Sequence, residues 1–177
     1  MEASVKTLVL WYSRVISVIL AMVFMVGCQS LSFDPKGHTV PEAKRISLTE
    51  FTQTGDYSGT FDNGDFDLVY KLVRNQGQTN ISGKLRFDER ITYSYYIIQY
   101  FHLNVVALDT DGKVLEMIPV TTVGNLNAIF DGPVEFSKVL AFPPNTVAMA
   151  FSYTGKACGD GSGDGGDVMD FWEYPLY

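Results

Sequence analysis

YYIIQYFHLNVVALD, residues 95 to 109, followed by TDGKVLEMIPV, residues 110 to 120, decides the fold. The first run is apolar on both faces and longer than an ordinary strand. It predicts a central strand covered on each side, or one that bends between two sheets. Asp111-Gly112 then stands between two strand-like runs, the strongest short-range hairpin signal. Two long antiparallel strands joined by a tight turn are therefore expected at the centre of the protein.

The same period of two recurs on either side of this pair. In FDLVYKLVR, from Phe66, the side chains of Phe66, Leu68, Tyr70 and Leu72 point one way while Asp67, Lys71 and Val73 point the other. In ISGKLRFD, Ile81, Leu85 and Phe87 alternate with Ser82, Lys84, Arg86 and Asp88. Further strands are expected at Val134 to Leu140, Thr146 to Tyr153 and Met169 to Tyr174, with Pro143-Pro144 interrupting the chain between two of them. No stretch of this region carries a sustained helical period, although Ser47 with Glu50 has the spacing of a capping box around one short turn. Roughly eight short strands separated by turn residues argue for an all-β antiparallel sandwich, immunoglobulin-like, over residues 47–177. A small closed β-barrel is the alternative. There is no internal repeat, so one folded domain is expected.

Ahead of it, VISVILAMVFMV, residues 15 to 26, is uncharged and follows Lys6 and Arg14. A spanning helix needs about 20 apolar residues, whereas 10 to 14 suit the core of a signal peptide. Extending the run backwards would place Arg14 near mid-bilayer, at about 2.5–3.5 kcal/mol. The segment ends Met25-Val26-Gly27-Cys28. This resembles the lipobox of bacterial lipoproteins, with Gly27 at the small position and Met25 departing from the favoured leucine. The resemblance implies removal of residues 1–27 and acylation of Cys28, by diacylglycerol on sulfur and a further chain such as palmitate on the amino group. At about 0.8 kcal/mol per buried methylene, several chains hold where one is marginal. Gln29 follows. In enteric-type sorting an aspartate there retains a lipoprotein at the inner membrane, so the resemblance implies an outer-membrane address with the domain in the periplasm or at the cell surface. Residues 28–46, rich in Pro, Gly, Ser and charge, read as a flexible tether. LNVVALDTDGKVLE also resembles the strand, turn and strand of FxLYD-type and other immunoglobulin-like modules of bacterial envelope proteins, without the aromatic-x-Leu-Tyr-Asp pattern itself.

The formal charge is −7, and setting aside Glu2, Lys6 and Arg14 leaves 11 basic against 19 acidic side chains. Such a surface repels phosphates, so no nucleic-acid partner is expected. His38 and His102 are the only near-neutral titrating side chains. His38 lies in the expected tether, and His102 has no identifiable nucleophile or carboxylate to complete a triad. With Cys28 acylated, Cys158 stands alone, which excludes an internal disulfide or a Cys-x-x-Cys zinc site. CGDGSGDGGD, from Cys158, places Asp160, Asp164 and Asp167 among glycines. Carboxylates on such a pliable backbone could wrap a calcium ion, but the spacing matches neither an EF-hand nor a β-roll repeat, and a plain hairpin loop has the same composition. Three carboxylates also oppose a phosphate cradle.

Aromatic residues supply the binding candidates. Tyr93, Tyr95, Tyr96 and Trp172 could stack on sugar rings or receive a peptide strand if exposed, and otherwise fill the core. The reading that follows is a non-enzymatic, lipid-anchored envelope module with no cofactor, binding another envelope protein or a glycan. The alternatives are a hydrolase using a pair of carboxylates such as Asp62, Asp65, Asp88 or Asp109, or a calcium-dependent binding module.

Overall fold

The computed structural model describes residues 34–48, 55–75, 78–95, 97–127, 132–159 and 167–176. Residues 1–33, which include the expected signal-peptide segment, Cys28 and Gln29, lie outside them. The compact unit that carries the strands runs from Pro35 to Tyr177.

Among the described residues nine strands occur in chain order: β1 (Ile46–Ser47), β2 (Gly55–Asp62), β3 (Phe66–Asn75), β4 (Gln78–Phe87), β5 (Ile97–Leu108), β6 (Val114–Asn127), β7 (Val134–Leu140), β8 (Ala148–Cys158) and β9 (Val168–Glu173). A short helix, α1 (Glu89–Ser94), links β4 to β5. All pairings are antiparallel. One sheet has the order β2-β3-β4-β7 and the other β1-β8-β5-β6, with β9 continuing the edge of β8 that β1 begins. The two sheets form a sandwich, not the closed barrel.

The alternating residues form the core. Phe66, Leu68, Tyr70 and Leu72 of β3 and Ile81, Leu85 and Phe87 of β4 meet Phe101, Leu103 and Val105 of β5 and Phe151 and Tyr153 of β8 between the sheets. Phe66 stands edge-on to Phe101 and Tyr153 at centroid separations of 5.2 and 4.9 Å. β5 is central, as expected, and its double burial has two sources. Its inward residues enter the main core, while Val106 and Leu108 on the outer face join Val114, Ala148 and Ala150 in a second cluster sealed by Val40.

Val40 therefore corrects the boundary of the tether. From Pro35 the chain is part of the folded unit: Gly37 N–H donates to Val114 O at 3.0 Å, Val40 N–H to Gly112 O at 2.9 Å, and Thr39 bridges Lys113. A single buried valine gives no periodic signal, which is why the segment reads as linker in sequence. Of the expected capping box, Glu50 lies outside the described residues, and only Ser47 is placed. It lies in β1 opposite Ala148, and the turn of helix nearby precedes it at Glu42–Lys44.

The Asp-Gly hairpin forms. Gly112 N–H donates to Asp109 O, and Gly112 takes φ 77°, so a tight turn is followed by a left-handed glycine that corrects the strand twist. β6 runs seven residues past its expected end at Val120. Pro119 is tolerated within it because β6 is an edge strand and its register shifts beside Asn104.

The strands run between two ends. The hairpin end carries the β5–β6 turn, the β7–β8 connection and the incoming segment from Pro35. The helix end carries the β2–β3 turn, α1 and the base of the β8–β9 connection, where Gly159 N–H donates to Asp167 O at 2.8 Å.

Candidate functional site

The outer face of the five-stranded sheet changes character along its length. Near the hairpin end it is apolar and covered by Val40. Toward the helix end it bears two rows fixed by strand register. Thr122, His102, Thr154 and Trp172 form one, on β6, β5, β8 and β9, and Gly124, Tyr100, Lys156 and Asp170 form the other. These side chains face outward because their neighbours Phe101, Leu103, Tyr153 and Phe171 face the core. Trp172 is 64% exposed. His102 Nδ1 lies 3.0 Å from Thr122 Oγ1, and the Tyr100 and His102 rings stand 5.6 Å apart, tilted by 33°. With neighbouring strands about 4.8 Å apart, Trp172 and His102 are separated by roughly 10 Å across the sheet. The result is a shallow surface of aromatic rings, hydroxyls and one pair of opposite charges.

A second cluster sits at the helix end. Asp62 Oδ1 accepts from Gly64 N–H at 3.0 Å, and Asn63 Oδ1 accepts from the N–H groups of Asp65 and Phe66, so the β2–β3 turn is built by its own side chains. Asp88 caps α1 by accepting from Arg90 N–H at 2.9 Å, and the Arg90 guanidinium returns to Asp88 at 3.0 Å, to Gly64 O, and to Asp65 at 3.6 Å. The backbone N–H of Arg90, and then its guanidinium, hold the Asp88 carboxyl below the usual carboxylate range. Tyr153 reaches across the core to donate to Asp65 Oδ2 at 2.7 Å. Its pKa is raised by burial first and by that carboxylate second.

Three of the four hydrolase candidates thus converge here, and Asp109 does not. It lies at the opposite end, accepting from the N–H groups of Asp111 and Lys113 at 2.9 and 2.8 Å to hold the hairpin turn. Asp62, Asp65 and Asp88 each accept bonds that knit β2, β3, α1 and β8 together. A glycosidase acid needs its pKa pushed upward, the reverse of the direction at Asp88.

Of the four aromatic candidates, three lie among the described residues. Tyr93 is 82% exposed on α1, whereas Tyr95 is half-buried against the main core. Tyr96 lies outside the described residues. Among the described candidates only Trp172 joins the outer-face rows, and its companions there are Tyr100 and His102. The signal for them lay in the alternation of β5 itself, since burying Phe101 and Leu103 turns residues 100 and 102 outward.

Of the calcium candidates, Asp167 is exposed ahead of β9, while Asp160 and Asp164 lie outside the described residues. Among the described residues no group of three or more His, Cys, Asp or Glu side chains is placed to hold a metal ion. Cys158 is a half-buried free thiol at the end of β8, with its Sγ 3.8 Å from Gln99 Oε1. His38 is held in the covering segment, its carbonyl accepting from Val114 N–H at 2.9 Å.

Compared with protein-family models, with curated proteins and with solved structures, the chain shows no match in any of the three.

Proposed function

We propose that this is a non-enzymatic binding module held at a bacterial envelope membrane by acyl chains on Cys28, and that its ligand is a glycan laid across the outer face of the five-stranded sheet. The anchor reading is supported by the short apolar core ending in Met25-Val26-Gly27-Cys28. The binding reading is carried by one observation: Trp172, 64% exposed, stands in register with Thr154, His102 and Thr122 on the outer face of the sheet. An indole left in water on a β-surface offers a flat apolar ring to the C–H face of a pyranose, and flanking hydroxyl, imidazole and ammonium groups can meet its hydroxyls. A polar face with one charge of each sign, Lys156 and Asp170, suits a neutral polymer better than a phosphate-rich one.

Two measurements test the two halves. Mass spectrometry of the mature N-terminus should find an acylated Cys28; a free, unprocessed Met1 would remove the anchor. A glycan array probed with the folded domain, wild type against Trp172→Ala, should show binding that the variant loses. An array with no signal, alongside an envelope protein recovered by crosslinking through this face, would replace the glycan with a protein partner.

A further inference from the structure

The core-facing side of the four-stranded sheet is apolar along most of β3 and β4, where Leu68 and Leu72 stand opposite Leu85 and Ile81. At the hairpin end the pattern changes. The last row across that face is Gly55, Arg74, Thr79 and Leu140, register partners on β2, β3, β4 and β7. Alternation puts Arg74 on the side of Leu72 and Thr79 on the side of Ile81, so both belong to the core face. A row that only closed the core would be apolar at both positions. The exposed neighbours Asn75 and Gln78 place it at the edge of the core.

A cavity of about 210 Å³ lies against this row. Leu48, Leu140, Phe142, Pro143 and Pro144 give it hydrocarbon walls, and Thr79 and Arg74 give it polar groups. Thr146 also lines it, but its hydroxyl is engaged by Pro143 O at 2.8 Å within the β7–β8 connection. Thr79 is only 5% exposed, and its hydroxyl makes no hydrogen bond among the described residues. Valine fills the same volume without leaving a polar atom unsatisfied, so packing alone does not account for threonine here. Water is a poor filling, because each buried molecule needs about 2–4 polar partners and these walls are mostly hydrocarbon. Gly55 adds room on the same row, since a Cβ there would meet nothing within 4 Å among the described residues.

Size and charge define the ligand. An apolar cavity of about 150 Å³ takes up benzene, so this one holds a benzene-sized body with a short polar extension. Arg74 is the one charged residue among the described lining, and it is positive. Its guanidinium carries five donors in a fork that matches a carboxylate, so its interaction within the protein leaves donors for a ligand. A phosphate dianion would keep an uncompensated charge beside hydrocarbon, whereas a monocarboxylate is neutralised one for one.

We infer that this cavity binds a small monocarboxylate with a compact apolar body. The carboxylate pairs with Arg74 and accepts from the Thr79 hydroxyl, and the body packs on Leu48, Leu140 and Phe142. The site lies apart from the outer face of the five-stranded sheet, and it stands whether or not that face binds a glycan.

The probe is hydrocinnamate, a phenyl ring on a propionate, titrated into the full chain and followed by methyl NMR at Leu48, Leu140, Thr79 and Thr146. Saturable shifts centred on these methyls are expected. Hydrocinnamamide, its neutral isostere, is expected to bind at least about tenfold more weakly for want of a charge-assisted pair. Arg74→Gln should weaken hydrocinnamate by a similar factor, and Thr79→Val, which keeps the volume, by about threefold. Urea midpoints of both variants separate lost binding from lost folding. If Arg74→Gln does not fold, the comparison of acid with amide on the wild-type chain decides the matter alone. Equal binding of acid and amide overturns the carboxylate assignment, and the absence of saturable shifts at all four methyls overturns the site.

Discussion

The ring of Phe171 on β9 lies across Gly155 on β8, its register partner, and occupies the space where a side chain would start: a Cβ added at Gly155 would sit 2.3 Å from Phe171 Cζ. The arrangement recurs where Phe136 covers Gly83 and where Tyr70 covers Gly59. In each pair one partner strand supplies the missing apolar area of the other, which pins the register of β9, β7 and β2. Gly155→Ala is expected to destabilise the fold by about 1–3 kcal/mol through overpacking. Phe171→Ala, which empties the same site, is expected to cost about 3–5 kcal/mol. Urea unfolding should show both as lower midpoints with an unchanged m-value.

Alkaline pH should unfold the protein through two tyrosines. Burial raises the pKa of Tyr153, helped by Asp65, and burial raises that of Tyr70, helped by Tyr57. Both are therefore protonated in the fold at pH values where the unfolded chain, with an ordinary tyrosine value near 10, has begun to ionise. The unfolded state then binds fewer protons, so stability falls as pH rises above about 10 and is constant in this respect below it. Tyr153→Phe and Tyr70→Phe should each remove roughly half of this slope, measured as unfolding free energy against pH from 8 to 11.

Gly112 should tolerate no side chain. Its φ is 77°, and a Cβ there would fall 2.0 Å from Cζ of Arg45, whose guanidinium lies over the turn while its Nε donates to Val40 O at 2.8 Å. Gly112→Ala is expected to cost about 1–2 kcal/mol from the left-handed backbone alone. It should also loosen the covering segment, seen as faster amide exchange at Val40, whose N–H donates to Gly112 O. Arg45→Ala should reproduce the exchange effect without the backbone strain.

The cross-strand glycines also explain where the sequence was legible and where it was not. β3, β4, β5 and β7 could be read because each carries its own inward apolar residues, and the β5–β6 turn because Asp-Gly is a local signal. The sequence pattern of β8 stops at Tyr153 but the strand continues to Cys158, since the inward position after Tyr153 is Gly155 and its apolar surface is lent by Phe171. β2 escaped notice for the same reason, with Gly59 filled by Tyr70. A pattern read along one strand cannot see area supplied by the next. The binding candidates show the same limit: Tyr93, Tyr95, Tyr96 and Trp172 share residue type, whereas a shared face depends on parity along a strand and on register between strands. Asn63-Gly64 is a local turn signal of the same kind as Asp111-Gly112, and it marks the turn that draws Asp62 and Asp65 toward Asp88.

If the outer-face rows recognise ligand, stability and binding should separate at Trp172. Its ring is mostly in water, so Trp172→Ala should change the unfolding free energy by no more than about 0.5 kcal/mol. Stacking lost from one ring should nonetheless weaken binding measurably, since aromatic anchors dominate recognition surfaces. Tyr93→Ala is the matched control: this ring is 82% exposed, yet it lies on α1 and in neither row. Thr122→Val addresses the other edge of the row, because it frees the His102 ring from its hydroxyl partner without changing side-chain volume greatly. Titrations of these three variants against the bound glycan should rank Trp172→Ala as the most damaging, Thr122→Val as intermediate and Tyr93→Ala as silent. Loss of binding in Tyr93→Ala with Trp172→Ala unaffected would move the site from the sheet face to the helix end.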